Sequence, residues 1–355
     1  MSKNKAYTHV SLFSGAGGLD IGLEQAGFHT VWANDFNHDA CETHRLWSNA
    51  TVVEGDIGKV DYDTIPDCDI ASFGFPCQGF SLSGLRKVDD SRNVLYRHCV
   101  KLVEKKQPKL FLAENVKGLL TLGGGKIKDA IIADFESKGY AVSINLVNAA
   151  DYGVPQLRER VILVGFLGDN PFQYPEPTHG EGLLPYVTLH DALKDLPALS
   201  CGKESTVYAA PPDNEFLSWV RQGGSDTLTE HKAPNNSAHL RKIMAALKDG
   251  QGKDDLPEEL RPKSGFKNTY AKLWWEKPAT TITRNFACPS SSRCIHPRDS
   301  RALTIREGAR LQSFPDNYQF YGSDCLKRLE IGNAVPPLLS VALAEQMLKA
   351  LNAEK

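Results

Sequence analysis

No apolar run in these 355 residues approaches the roughly 18 needed to cross a bilayer. The amino terminus, MSKNKAYTHVSLFSGAGG, lacks a long apolar core followed by a cleavage site. A membrane protein or an exported one is therefore not expected, and the cytoplasm is the expected compartment. The eight cysteines include no CxxC pair, and the closest two, Cys288 and Cys294, have no second pair to complete a zinc site. A disulfide scaffold is not expected in so long a chain without an export signal, and no metal site is expected. There is no internal repeat and no low-complexity segment. Bulk charge is also missing: the net value is −2, so overall electrostatics do not announce nucleic acid.

What is present is an ordinary globular composition, 41% hydrophobic and 24% charged, in a chain long enough to bury a large core. The charge is unevenly placed. From Arg261 to Arg310, eleven Lys and Arg face only Glu276, Asp299 and Glu307, a local excess of eight positive charges. Such a segment suits a phosphate-facing surface. A solvated face without a partner accounts for it equally well.

The first half alternates short apolar runs with helical spacing. HVSLF, HTVWA, CDIASF, PKLFLAE, AVSINLV and RVILVGF read as strands buried on both faces, with helical patterns such as LDIGLEQAG and KDAIIADFESKG between them. This alternation predicts an α/β fold with a doubly wound, mostly parallel sheet and ligands at the carboxyl ends of its strands. After Gly168 the rhythm gives way to Pro, Gly, Ser and Asn, predicting a second, smaller and more irregular domain. In VPPLLSVALAEQMLKAL, Leu339, Leu343, Met347 and Leu351 share one helical face, which predicts a return to the first domain. The expected divisions are residues 1–175, 176–322 and 323–355.

Chemistry-bearing residues gather at the predicted strand ends. LFSGAGGLDIGL follows the first strand and opens a helix, so Gly15, Gly17 and Gly18 allow a tight turn and close approach of a ligand. Asp35 ends the second strand, 20 residues after Gly15, where a carboxylate can accept from ribose hydroxyls. Asp56 ends the third and can accept from an adenine amine. Together they point to an adenosine-containing cofactor, nicotinamide or S-adenosylmethionine. Phe13 beside the loop tilts the choice towards the cationic sulfonium. In ASFGFPCQGFSLSG, Cys77 leaves the fourth strand at the mouth of a loop. Glu114 ends the fifth. Arg158 and Arg160, two apart at a strand start, can point the same way. Separately these residues read as a buried thiol, a helix cap and surface ion pairs; jointly they make a covalent-catalysis constellation.

The chain resembles the DNA (cytosine-5) methyltransferases, of the bacterial restriction-modification type. FSGAGGLDIGLEQAGF is similar to their cofactor loop, GFPCQGFSLSG to the Pro-Cys nucleophile motif, ENVKGLL to Glu-Asn-Val, QLRERVILVGF to Gln-Arg-x-Arg and RLEIGNAVPPLL to Gly-Asn-x-Val. KPATTITR and RALTIREGARLQSFPD are similar to the segments between the variable region and the end, and the order of all these is the family's. Two departures stand out: YAKL replaces the usual Tyr-Gly-Arg-Leu, and Gly79 stands where proline is commoner.

The resemblance implies the S-adenosylmethionine-dependent methyltransferase fold and a thiolate of Cys77 that adds to C6 of a flipped-out cytosine. Glu114 would bond N3 and the exocyclic amine, Arg160 the base's O2, and Arg158 would steady the loop or a phosphate. Phe13, Gly15, Asp35, Asp56, Ile57, Pro76, Leu95 and Asn333 would hold the cofactor, which leaves as S-adenosylhomocysteine; Ile57 and Leu95 also read as ordinary core. The middle region would read duplex DNA in the major groove, with Arg221, Lys232 and Asn235 as candidates that read equally as solvated loop residues. A monomer in the bacterial cytoplasm or nucleoid is implied, with a restriction endonuclease acting on the same site but not held in an obligate complex. The rivals are an RNA cytosine methyltransferase sharing the architecture, a nicotinamide-dependent oxidoreductase, and an idle DNA-binding relative.

Overall fold

Runs rich in Val, Ile, Leu and Phe, too short for helices and flanked by Gly and Asp, become strands in the computed structural model. It describes residues 6–76, 95–223, 226–263, 266 and 268–353. Cys77 lies outside the described residues. Contacts divide the chain into two units: Met1–Asn148 with Glu159–Pro177 and Pro337–Lys355, and Ala149–Arg158 with Thr178–Pro336.

The first unit runs β1 (Thr8–Leu12), α1 (Gly18–Gln25), β2 (His29–Asp35), α2 (His38–Trp47), β3 (Thr51–Glu54), β4 (Ile70–Phe73), α3 (Tyr96–Lys106), β5 (Leu110–Val116), α4 (Lys126–Glu136), β6 (Tyr140–Asn148) and β7 (Glu159–Leu167). The strands form one seven-stranded sheet in the order β3-β2-β1-β4-β5-β7-β6. Only β7 runs against the rest, pairing antiparallel with both β5 and β6. The doubly wound, mostly parallel sheet is thus the observed fold class. The strand order reverses between β1 and β4, which opens a crevice at their carboxyl ends. Because β1 to β4 are parallel, the loops leaving all four emerge at one edge.

Val10, Leu12, Phe73, Phe111 and Leu163 are fully buried in the core. The Phe111 ring stacks on Phe135 with centroids 4.2 Å apart. On the facing strand only glycine fits beside it, since a Cβ at Gly165 would lie 2.0 Å from the Phe111 ring. AVSINLV departs from the expectation of burial on both faces. As β6 it is a sheet edge, with Tyr140 and Val147 buried and most residues between them half-exposed. β3 is the opposite edge and half-exposed, which is why no fully buried run marks it.

The second unit is irregular: short helices α5 (Leu189–Leu193), α6 (Glu215–Val220) and α7 (Ala238–Ala246), a two-stranded sheet of β8 (Ala271–Lys272) and β9 (Arg293–Ile295), then α8 (Ile305–Leu311) and α9 (Asp324–Asn333). A small apolar cluster, including Ile243, Met244, Leu256 and Ile295, packs there. The last helix, α10 (Pro337–Ala353), belongs to the first unit. It buries Leu339, Leu343, Met347 and Leu351, and the Ser340 hydroxyl donates to the Leu19 carbonyl of α1. Gly22 of α1 permits this approach, since a Cβ there would fall 2.4 Å from Ser340 Cβ. An 18-residue window within Asp324–Ala353 is apolar enough on average for a membrane span, but half of that window is buried inside the protein. The units break at 177/178 and 336/337, and α9 goes with the second unit, not with α10.

Candidate active site

The loop between β1 and α1 is held open by backbone conformations that ordinary side chains avoid. Phe13, Gly15 and Gly17 have φ of 56°, 54° and 78°. Gly17 needs glycine for space as well, because a Cβ would lie 2.6 Å from the His44 and Trp47 rings. Gly15 is different: nothing lies within 4 Å of where its Cβ would be. Its bare side faces open space, where a ligand can approach the backbone.

Asp35 closes this loop. One carboxylate oxygen accepts the Gly15 N–H at 2.7 Å and the other accepts the Asn37 N–H at 2.8 Å. Burial raises its pKa above the usual carboxylate range, even though three backbone N–H groups favour the charged form. Asp35 therefore shapes the loop. Phe36, next in the chain, is 78% exposed at the same edge. The apolar runs hid this residue, because an aromatic after a strand reads as core; only its exposure sets it apart.

The next loop carries Asp56 and Ile57. Asp56 is exposed and accepts the Gly58 N–H at 2.9 Å, capping a single 3₁₀ turn, Ile57–Lys59, while Ile57 is buried. Pro76 and Leu95 are half-buried, at the exit from β4 and the start of α3. The backbone leaving β4 passes so close to the β1 loop that a Cβ on Gly74 would fall 2.8 Å from the Phe13 carbonyl oxygen. Asn115, buried in β5, donates to the Phe75 carbonyl at 3.4 Å and so ties β5 to the segment leaving β4. No role was foreseen for Asn115, although it lies beside Glu114 in the quoted motif.

Glu114 sits inside β5 opposite Ile162 of β7, two residues from Arg160. The Arg160 Nε lies 2.7 Å from Glu114 Oε1, with both side chains only 12–13% exposed. A carboxylate paired with guanidinium at a strand edge is fixed in orientation.

Arg158 does not join them. It precedes β7 and belongs to the second unit, so the expected common direction of the two arginines is not met. Its guanidinium, 1% exposed, donates to the carbonyls of Ile282 (3.0 Å), Gly332 (3.0 Å) and Ala334 (2.8 Å). That is a brace for backbone, and it brackets Asn333, which is exposed at the end of α9. Gln156 extends the mesh, donating to the Leu311 carbonyl and accepting from the Ile282 N–H. These bonds are why Ala149–Arg158 folds with the second unit.

The positive segment is also less available than its charge count implied. Arg301, Arg306 and Arg310 are all buried. Arg301 is bidentate to Glu307 at 2.8 and 2.7 Å; Arg306 donates to the Thr229, Pro315 and Tyr318 carbonyls; Arg310 bonds Asp195 and Asp316. Burial alone would raise the Glu307 carboxyl, but the Arg301 charge and bonds hold it far below the usual range. Arg293 is spent on the Gly250 and Lys272 carbonyls. Lys277, Arg284 and Asn285 remain exposed. Of the suggested base readers, Arg221 stacks on Tyr208 (3.8 Å) and bonds Asp195, Lys232 faces Glu204, and Asn235 is exposed.

Residues 7–349 match the model of the C-5 cytosine-specific DNA methylases. The chain is 41% identical over 350 residues to the Type II methyltransferase M.NgoFVII of Neisseria gonorrhoeae, covering 96% of this chain and 86% of that protein. It is 36% identical over 352 residues to M1.HphI of Haemophilus parahaemolyticus, covering 96% and 87%. A crystal structure from E. coli, described as a DNA modification methyltransferase encoded within a prophage, matches with a TM-score of 0.79 at 26% identity, covering 98% of this chain and all of that one. The S. pombe Dnmt2 methyltransferase shares the fold, with a TM-score of 0.59 at 18% identity, covering 98% of this chain and all of that one.

Proposed function

The chain belongs to the C-5 cytosine-specific DNA methylase family, and on that premise we propose that it methylates C5 of a cytosine flipped out of a short duplex recognition sequence. The donor is S-adenosylmethionine and the nucleophile is Cys77. Its relatives' names place them in Type II systems, and the same role is proposed here: marking sites that a separate restriction endonuclease would otherwise cut.

The observation that carries this reading is the Glu114–Arg160 pair, 2.7 Å apart on adjacent strands of the sheet whose crevice holds the Gly15 loop. Cytosine C6 is shielded in the base stack, so the base must leave the duplex before a thiolate reaches it. The Cys77 thiolate adds to C6, and the electron pair of the C5–C6 bond moves to C5, which takes the methyl group. Solvent then takes the C5 proton, the C5–H electron pair re-forms the C5–C6 double bond, and the C6–S pair leaves with the thiolate. Glu114 accepts from the exocyclic amine and passes a proton to N3, which neutralises the negative charge as it develops on the ring. Arg160 holds Glu114 by its Nε, donates from Nη1 to the Glu159 carbonyl, and directs Nη2 to the base's O2. S-adenosylmethionine, when bound, supplies an electrophilic methyl group on a sulfonium and leaves as S-adenosylhomocysteine.

The crevice fits that cofactor in three respects: the open side of Gly15, the exposed ring of Phe36, and the exposed carboxylate of Asp56. Phe13 offers its face to the sulfonium, Phe36 covers the adenine, Asp56 accepts from the adenine amine, and Ile57, Pro76 and Leu95 line the ring. Asp35 accepts from the ribose, and Asn333 completes the set. The second unit reads the DNA sequence, and Arg158 acts by bracing backbone around Asn333.

The test is 5-methylcytosine sequencing of plasmid DNA from cells expressing the wild type, beside Cys77→Ser. Methylation of one short motif, absent in the variant, is expected. Unmethylated DNA from a folded, cofactor-binding wild type, or methylation that survives in Cys77→Ser, would overturn the proposal.

A further inference from the structure

His98 takes no part in the chemistry above, yet it lies where two walls of the adenosine crevice meet. It follows Leu95, the N-cap of α3, by three residues, so the two are neighbours on one helical face. Its Nδ1 is 2.9 Å from the hydroxyl of Tyr62, a buried residue just beyond the turn that carries Asp56 and Ile57. The rings of Tyr62 and His98 lie nearly parallel, 18° apart, and the Lys101 ammonium sits 4.1 Å from the Tyr62 ring centroid. On its other side His98 meets Gly58. A Cβ at Gly58 would lie 3.4 Å from His98 Cε1, 3.7 Å from Nε2 and 3.2 Å from Asp56 Oδ1. The imidazole and the Asp56 carboxylate therefore share the space beside one bare Cα.

Burial pushes the Tyr62 phenol well above its ordinary range, reinforced by Cys99 and Asp56, so its hydroxyl keeps its proton, within bonding distance of both His98 Nδ1 and the His98 carbonyl. Burial also lowers the His98 pKa; Asp56 opposes this and Lys101 adds to it. Asp56 Oδ1 is taken by the Gly58 N–H, while Oδ2 has no hydrogen-bond partner among the described residues.

We propose that His98 is a positioning residue for the cofactor's adenine: bonded to Tyr62, it holds the Asp56 turn against α3 so that Asp56 Oδ2 meets the 6-amino group. The proposal rests on the reading of Asp56 as the acceptor from that amine. His98 touches no reacting atom and acts only through the turn.

The test is calorimetric titration of the full chain with S-adenosylhomocysteine and with its analogue bearing hydrogen in place of the 6-amino group. A carboxylate accepting from that amine should make the wild type prefer the amine by about tenfold or more. His98→Phe keeps a ring but neither nitrogen, and Tyr62→Phe removes only the hydroxyl. Each should cut the preference to within about threefold, with affinity for the amine-free analogue unchanged and the double variant no worse than either single one. Folded variants that keep the full preference, or that lose affinity for both ligands equally, overturn the positioning role. A wild type that binds both ligands equally overturns the Asp56 reading instead. If Tyr62→Phe does not fold, His98→Phe, at a half-exposed position, decides alone.

Discussion

Replacing Arg158 by Met separates a brace from a catalytic group. The wild-type guanidinium is 1% exposed and donates three bonds of 2.8–3.0 Å to the carbonyls of Ile282, Gly332 and Ala334. A bond from a charged donor contributes roughly 1.5–3 kcal/mol, but removing the charge also removes its burial cost, so the three do not add in full. A net loss of about 3–5 kcal/mol is expected, arising in the second unit. With a urea m-value of about 2 kcal/mol per molar, the midpoint should fall by roughly 1.5–2.5 M. Tryptophan fluorescence can follow it, since Trp219, Trp274 and Trp275 lie in the second unit and Trp32 and Trp47 in the first. Arg158→Lys should rescue little, because one ammonium cannot reproduce a planar fork across three carbonyls. A midpoint unchanged in Arg158→Met, with turnover lost, would refute the brace and return Arg158 to the reacting base or a phosphate.

Glu114→Gln should reduce methylation about 10²- to 10³-fold while cofactor affinity, measured by calorimetry, stays within about threefold; near-normal turnover would remove Glu114 from the mechanism. Two glycines of one loop should part ways. Gly17→Ala forces a Cβ to 2.6 Å from His44 and Trp47 and should cost about 2 kcal/mol or more of stability, whereas Gly15→Ala meets open space and should cost about 1 kcal/mol through its positive φ. Thermal melts and cofactor titrations side by side would show whether Gly15→Ala loses mainly binding, as expected. The third concerns pH. Burial lowers the pKa of His9, which bonds Thr30 and Ser72, to about 4, with Asp20 opposing and His44 reinforcing. The unfolded chain takes up that proton more readily, so stability should fall as pH drops from about 6.5 to about 4, by up to about 3 kcal/mol. His9→Gln should flatten urea midpoints across that window; an unchanged slope would mean that His9 is not the group responsible.

Much of the crevice was legible because its signals are local in the chain. A glycine-rich turn after an apolar run, Asp35 at the end of the next and Glu114 within a buried run each depend on a few consecutive residues, and parallel strands carry them to one edge. Other features were legible only in part. Asp35 could be seen as a carboxylate at a strand end but not as the group that ties down Gly15, since that bond joins the loop after β1 to the end of β2, 20 residues on. How much of the basic segment is exposed was hidden for the same reason. The charges of Arg301, Arg306 and Arg310 were visible, but Asp195, which meets Arg310 across 115 residues, was not. The amino-acid order by itself determined the alternation of strand and helix, the glycines that keep the β1 loop open and the identity of the ionisable groups. Tertiary structure alone decided which arginine pairs with a carboxylate at the crevice, which is consumed by carbonyls, and which histidine stands between Tyr62 and Gly58. Periodicity is written in neighbouring residues, whereas burial and partner choice depend on segments brought together only when the chain closes on itself.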